Sequence, residues 1–287
     1  MAFLLSLVVY IGITVSQHTK RQTNHFIDQS SWSFQPPHSH RISRQRVNFS
    51  LCDITWQRPP VRQRVFHTIA FAAGTDKVTT HQYQHVYQRF LGPMSGEQGA
   101  GVLFIEIGFA AGASARAFRG FMPNADLHEI EVGCAQPRRP QYNDWIYDAP
   151  MFAVMRAEGR LHCGSGADAQ FMLPLLKQFG RAPHIVIDDG GHSAAEMIGS
   201  FMLLFPRLAP CGLFFMEDLA ESYRVGNAGF HNQVLRPLMD ALHYDRDDPA
   251  TYMLGEVMPE ITSRLRAITC AKHICVFERN DAPPTHE

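Results

Sequence analysis

Two short apolar runs end abruptly at paired acids, and this pattern restricts the fold more than any other feature of the chain. The first is IVIDDGGH at residues 185–192 and the second is LFFMED at residues 213–218. In an open α/β sheet, ligands sit outside the carboxyl ends of the strands. Two neighbouring strands ending this way bring Asp188, Asp189, Glu217 and Asp218 to one rim, with His192 beside them. Acids crowded there repel one another unless a cation lies among them or some stay protonated. A hard divalent ion, Mg²⁺ or Mn²⁺, is the simplest resolution, since Mg²⁺ favours carboxylate oxygens and keeps waters that a substrate can replace. An acid at a strand end can also merely cap the next helix. Two such motifs together, with a histidine three residues beyond Asp189, point to a site.

The rest of the chain fits the same architecture. GVLFIEIG (residues 101–108) reads as a buried strand, followed by short strands at 126–132, 160–163, 184–187 and 212–216. Helical patterns fall between them at 171–179 and 194–205, with another at 232–242. Residues 79–91 place Tyr83, Tyr87 and Phe90 at three-to-four spacing, which predicts one helix face. Segments 266–269 and 273–278 read as a closing antiparallel hairpin turning at Ala271-Lys272. Strands alternating with helices imply a mostly parallel sheet covered on both faces. No internal repeat is visible.

EIGFAAGAS (residues 106–114) follows the first strand directly and opens a helix. Gly108 permits a tight turn, and Gly112 allows close approach to the helix backbone. Glu106 is an acid at the end of a buried strand, a poor core residue unless something binds it. Glu131 stands 25 residues later, at the end of the second strand, where an acid can grip both hydroxyls of a ribose. The loop lacks a full G-x-G-x-x-G pattern, which argues against NAD. Together these features favour an adenosine-containing ligand without a pyrophosphate.

On these residues the chain resembles the class I S-adenosylmethionine-dependent methyltransferases. Within them it is similar to the metal-dependent macrolide sugar O-methyltransferases and the cephalosporin-hydroxylase-like proteins. The matching motifs run in order from GTDK (74–77) and HQYQHVY through EIGFAAGAS, FMPNA, IDDGGH and LFPRLAPCGLFFMED to ESY (221–223). The resemblance implies a Rossmann-like sheet and S-adenosyl-L-methionine and Mg²⁺ as cofactors. Glu106, Gly108 and Gly112 would line the methionine part and Glu131 the ribose, with Ser114 and Asp188 also on the cofactor side. Asp189, Glu217 and Asp218 would hold the metal and His192 would be the base. Ala110 departs from the pattern where a middle glycine is common, and Ser165 departs where an acid often faces the adenine amine. Glu131 also replaces a shorter acid. The acceptor-binding lids are not recognisable.

The implied activity is methyl transfer to a hydroxyl of a sugar-containing or other small-molecule acceptor. Two rival readings stay open. A metal-dependent oxygenase would use Asp189 and His192 as ligands, but a facial iron triad needs a second histidine, and none lies near LFFMED in the sequence. A non-catalytic protein that binds an adenosyl compound is the other. Lys77 and Tyr223 are read equally as substrate contacts or as ordinary surface or packing residues, and His192 also as a helix cap. His81, His85 and Tyr83 are read as helix-face residues.

Lys plus Arg (26) nearly balances Asp plus Glu (27), so no global field recruits nucleic acid or an anionic membrane. Residues 2–15 are mostly apolar, short for a membrane span but suited to a signal-peptide core, though no Lys or Arg precedes them. The expected organisation is a signal or anchor segment at 1–16, a polar tail at 17–64 and a methyltransferase-like domain at 65–287. Both a cytoplasmic location and entry to the secretory pathway are compatible with this, as is a homo-oligomer. The six cysteines form no C-x-x-C pair, and a chain of 287 residues needs no disulfide framework. Cys163 and Cys211 are therefore expected as small core residues.

Overall fold

The computed structural model describes residues 64–140, 142–243 and 258–281. The expectations for residues 1–63 lie outside the described residues. Seven strands form one sheet: β1 Leu103–Ile107, β2 Asp126–Glu131, β3 Leu161–Cys163, β4 Ile185–Asp188, β5 Leu213–Met216, β6 Leu265–Ala271 and β7 Ile274–Arg279. Their order is β3-β2-β1-β4-β5-β7-β6. The first five run parallel, and β7 pairs antiparallel with both β5 and β6. Each strand expected from an apolar run is present, and the closing hairpin lies where the sequence placed it. Its turn falls one residue later than expected, at Lys272-His273, because Ala271 pairs with Ile274 and His273 adopts a positive φ of 65°.

All positions of β1, β4 and β5 are buried, since helices cover both faces of the sheet. Alternation along each strand decides which face a side chain joins. Phe104, Ile187 and Phe215 pack with Phe66, Tyr87, Phe118 and Phe121 from α1 (Phe66–Ala73), α3 (Gln84–Leu91) and α4 (Ala113–Phe121). Ile105, Val186 and Phe214 face the other way, against Met172, Phe201 and Leu238. Those come from α7 (Ala169–Phe179), α8 (Ala194–Leu204) and α10 (Arg236–Ala241). Between α4 and α7 lie α5 (Asp144–Tyr147) and α6 (Pro150–Ala157), and α9 (Leu219–Ser222) follows β5. Among the described residues no helix is long and apolar enough to cross a membrane.

The helix expected over residues 79–91 begins only at Gln84, and a separate short helix precedes it. The short α2 (Asp76–Thr79) ends where Thr80 and His81 both return their N–H groups to the Asp76 carbonyl, so the chain turns before α3 begins. That turn directs Lys77 inward.

The cysteines depart further from expectation. Cys134 is bonded to Cys163 and Cys270 to Cys275, with Cα separations of 5.1 and 4.1 Å, and Cys211 is also disulfide-bonded. Sequence spacing could not reveal this. The parallel pairing of β2 with β3 is what brings Cys134 and Cys163 together.

His184 sits at the start of β4, where its Nδ1 accepts the Leu103 N–H at 3.0 Å and ties the beginnings of β4 and β1 together. Burial, aided by the charge of Arg181, lowers its pKa to about 4. A histidine whose folded pKa is depressed contributes stability that is complete above its unfolded value and is lost as the pH falls toward the folded one. Urea denaturation should therefore show a loss of about 2 kcal/mol from this residue between pH 7 and 4.5. His184→Gln, which keeps an acceptor but cannot titrate, should remove that part of the acid sensitivity. An unchanged acid profile in the variant would contradict the assignment.

Candidate active site

The order of the sheet reverses between β1 and β4, since β2 lies on one side of β1 and β4 on the other. At such a switch point the loops leaving the two strands diverge and open a crevice. A cleft of about 200 Å³ lies here, lined by Ile107, Gly108 and Ala110 after β1, Glu131 and Val132 after β2, Gly164 to Ala167 after β3, and Asp188 to Gly191 after β4.

Gly108 is required by the geometry. Its φ is 103°, and a Cβ there would lie 2.0 Å from the Asp189 carbonyl oxygen, so only glycine lets the exits of β1 and β4 come together. Ala110 adopts φ 46°, a conformation that glycine accepts without strain and alanine does not. Glu131 projects into the cleft with both carboxylate oxygens already oriented. Oε1 accepts the Gly133 N–H at 2.6 Å and Oε2 accepts the Ala110 N–H at 3.0 Å. Each oxygen keeps a lone pair for a further donor. Asp188 faces the side of α8, accepting the Ser200 hydroxyl and, at 3.1 Å, the Gly190 N–H. Burial raises its pKa to about 6 against those hydrogen bonds.

The acids of the opposite face form a second layer. Glu106, Asp189 and Glu217 share one cation, Lys77, which is fully buried. Its Nζ lies 2.6 Å from Asp189 Oδ2, 2.7 Å from Glu217 Oε1 and 3.4 Å from Glu106 Oε1. Burial alone would depress the lysine pKa, but the three carboxylates outweigh it and raise it well above the ordinary value. Tyr87 donates its hydroxyl to Glu217. Burial raises the Glu217 pKa well above the carboxylate range, and the charge of Asp189 adds to the shift while Lys77 opposes it. Behind Glu106 stands Glu129, its partner across the β1–β2 ladder. Burial, reinforced by the Glu106 charge, raises the Glu129 pKa well above its usual value.

At the rim, Asp189, His192 and Asp218 converge, offering ligand atoms within 4.8 Å of one another, all partly open to solvent. His192 Nε2 lies 3.5 Å from Asp218 Oδ2. Tyr83 donates its hydroxyl to Asp218 Oδ1 at 2.8 Å, and His81, stacked on the Tyr83 ring, brings Nδ1 to 3.7 Å from the same oxygen. Burial, then this hydrogen bond to Asp218, raises the Tyr83 pKa. His192 and Asp218 both hold positive φ, 56° and 50°. Backbone strain of this kind concentrates at functional sites.

The structure thus gathers Gly108, Glu131, Asp188 and Asp189 in the cleft and adds His192 and Asp218 at its rim. Glu106, Gly112 and Ser114 do not line the cleft. Glu106 lies behind its wall because its position in β1 points it to the α3 and α4 face. Gly112 serves packing, since a Cβ there would meet Phe109 and Met151, and Ser114 is buried beside Glu106 at the start of α4. Glu217 is likewise enclosed, with Lys77 and Tyr87 on its carboxylate, and is not presented at the rim. The cap of α8 is Ser193, whose Oγ accepts the Glu196 N–H at 3.3 Å, so His192 is not the helix cap. Tyr223 is largely exposed and stacked on His231. The sequence reading missed the inward roles of Lys77, Tyr83 and Tyr87; the pattern K77-x₅-Y83-x₃-Y87 was visible, but its target lay on distant strands. It also missed Glu196 and Trp145, which both line the cleft.

No protein-family model matches the chain. It is 28% identical over 191 residues to an 8-demethyl-8-alpha-L-rhamnosyl tetracenomycin-C 2'-O-methyltransferase of Streptomyces olivaceus, covering 61% of this chain and 45% of that one. It is 30% identical over 118 residues to a mycinamicin VI 2''-O-methyltransferase of Micromonospora griseorubida, covering 41% and 25%. The chain therefore spans less than half the length of these curated relatives. Among solved structures, the MycE methyltransferase in complex with Mg, SAH and mycinamycin VI superposes with a TM-score of 0.58 at 19% identity, over 77% of this chain and 56% of that one. A second crystal form with Mg and SAH gives 0.60, also at 19% identity. The fold is that of a class I methyltransferase. In sequence the chain resembles the sugar O-methyltransferases within that class. On the methyltransferase sheet the cleft lies at the switch point, and the acids gather where the strands end.

Proposed function

We propose that this protein is an S-adenosylmethionine-dependent O-methyltransferase acting on a hydroxyl of a sugar-containing or other small-molecule acceptor, with Mg²⁺ assistance and His192 as base. The observation that carries the reading is Glu131. Its carboxylate is held by two loop N–H groups and aimed into a switch-point cleft whose far wall, Asp189, is shared with an acid–histidine rim. A ribose diol needs two acceptors side by side, and Glu131 offers them already oriented.

The donor set fits both cofactors. Mg²⁺ takes oxygen ligands and usually keeps several waters, so one or two carboxylates suffice. Asp189 and Asp218 are the candidates. Glu217, committed to Lys77 and Tyr87, fits an indirect role, fixing the ammonium that fixes Asp189 Oδ2. The oxygenase reading is disfavoured by the same rim, because the converging set is two carboxylates with one histidine rather than the reverse.

Bound S-adenosylmethionine supplies a methyl group on a sulfonium, open to in-line displacement by a hydroxyl. A metal ion on Asp189 and Asp218 would supply Lewis acidity that makes that hydroxyl easier to deprotonate. The chain's own groups do the rest. Glu131 fixes the ribose, and Asp188, anchored by Ser200, holds the β4 exit in place. Asp218 faces Nε2 of His192 and favours a proton there, which leaves Nδ1 to receive the acceptor's proton. Tyr83 holds Asp218 in the orientation that this requires.

The test is cofactor binding by calorimetry. The folded wild type should bind S-adenosylhomocysteine, and Glu131→Ala should weaken binding by about 1–3 kcal/mol, the scale of hydrogen bonds to a charged group. No binding by folded wild type would refute the methyltransferase reading.

A further inference from the structure

The Cys134–Cys163 disulfide closes around the residue on which the cofactor reading rests. Cys134 lies in the turn after β2, three residues beyond Glu131, and Cys163 is the last residue of β3, immediately before the Gly164 to Ala167 wall of the cleft. Two hydrogen bonds run through the enclosed ring. The Gly133 N–H holds Glu131 Oε1 at 2.6 Å, and the Gly164 N–H holds the Glu131 carbonyl at 3.0 Å. The glycines flanking the bridge are packed without slack, since a Cβ on Gly133 would lie 2.3 Å from Ile146 and one on Gly164 would lie 2.5 Å from the Phe171 ring. The disulfide therefore joins two tight turns, one that orients the Glu131 carboxylate and one that forms the opposite wall.

We propose that Cys134–Cys163 is a positioning clamp for the adenosine end of the cofactor, and that reducing it weakens cofactor binding through Glu131. This rests on the reading of the cleft as an S-adenosylmethionine site. Both cysteines are half-buried, so a small thiol can reach the bridge. The Arg156 guanidinium lies 3.3 Å from Cys163 Sγ, where its charge favours a thiolate. A dithiol reductant acts in two steps. Its thiolate attacks Cys134 Sγ, the S–S bond breaks, and Cys163 leaves as the thiolate. The reductant's second thiol then displaces Cys134, so the reductant ends as a disulfide and the two cysteines are reduced by two electrons. The Gly133 turn is then no longer tied to β3, and the Glu131 carboxylate loses its fixed orientation. Cys270–Cys275, across the β6–β7 hairpin, supplies an internal control.

The experiment titrates S-adenosylhomocysteine into the oxidised wild type, C134S/C163S, C270S/C275S and Glu131→Ala. A second ligand, an S-adenosylhomocysteine analogue lacking both ribose hydroxyls, is titrated in parallel. C134S/C163S should bind S-adenosylhomocysteine about tenfold more weakly, within the range expected for losing an oriented charged acceptor. It should bind the hydroxyl-free analogue as the wild type does, whereas C270S/C275S should change neither. Combined with Glu131→Ala, the cysteine substitutions should add little further loss, because both act through one carboxylate. If C134S/C163S does not fold, dithiothreitol treatment of the wild type, with alkylation and peptide mapping to show which bridge has opened, gives the same comparison. Equal affinities with the bridge open and closed would overturn the proposal. So would an equal loss for the hydroxyl-free analogue or in C270S/C275S. No binding by the oxidised wild type would instead refute the cofactor reading, and this inference with it.

Discussion

Replacing Lys77 by methionine should destabilise the protein by about 3–5 kcal/mol at pH 8, the cost of leaving a buried charge without its partner. The side chain is fully buried and its ammonium lies within 3.4 Å of three carboxylates. Methionine fills most of the same volume, so lost packing contributes little. What remains is Glu106, Asp189 and Glu217 facing one another with no cation between them. The variant folds only by taking up protons that the unfolded chain does not hold at that pH. Above about pH 4 its folded state binds more protons than its unfolded state, and its stability must fall as the pH rises. The gap between wild type and Lys77→Met should therefore narrow as the pH is lowered from 8 toward 5, which a packing defect would not do. Glu217→Gln, by contrast, removes an acid whose burial already raises its pKa, and should cost much less. Urea denaturation at the two pH values measures all of this. A loss below about 1 kcal/mol at pH 8 would show that the three acids are not relying on Lys77.

Much of the site was legible because strand ends are legible. An apolar run that stops at Asp or Glu reports both its depth and its exit, so Asp188, Asp189, Asp218 and Glu131 could be placed from the sequence. Glu106 and Glu217 could be placed at strand ends but not on a face. Alternation turns a side chain near the end of a strand toward one helix layer, and for these two that layer is closed by Lys77 and Tyr87. The inward lysine was illegible for a related reason. Lys77 carries no local mark that distinguishes a surface ammonium from one aimed at strands 112 and 140 residues away. The disulfides hid in the same way, since Cys134 and Cys163 are 29 residues apart and meet only through the parallel pairing of β2 with β3. Long-range pairing was the missing information in each case.

His192→Ala should lower turnover by roughly 10²–10⁴ while leaving cofactor binding nearly intact, the range for removal of a positioned general base. The geometry allows a competing role, because His192 converges with Asp189 and Asp218 closely enough to share a metal ion. The two roles separate on metal dependence. A base requires an oriented ring with a free nitrogen, and Asp218, 3.5 Å from Nε2, supplies the orientation. The variant would then bind Mg²⁺ as the wild type does, and excess Mg²⁺ would not restore the rate. A metal ligand behaves oppositely, since losing it weakens Mg²⁺ binding and high Mg²⁺ recovers much of the rate. Asp218→Ala should show both defects together, having lost a carboxylate for the metal and the partner of the imidazole, whereas Tyr83→Phe should show a smaller form of each. Chelation should abolish turnover in every variant that retains it. A folded, metal-loaded His192→Ala protein that turns over at the wild-type rate would remove this histidine from the chemistry and leave the acids of the rim to act alone.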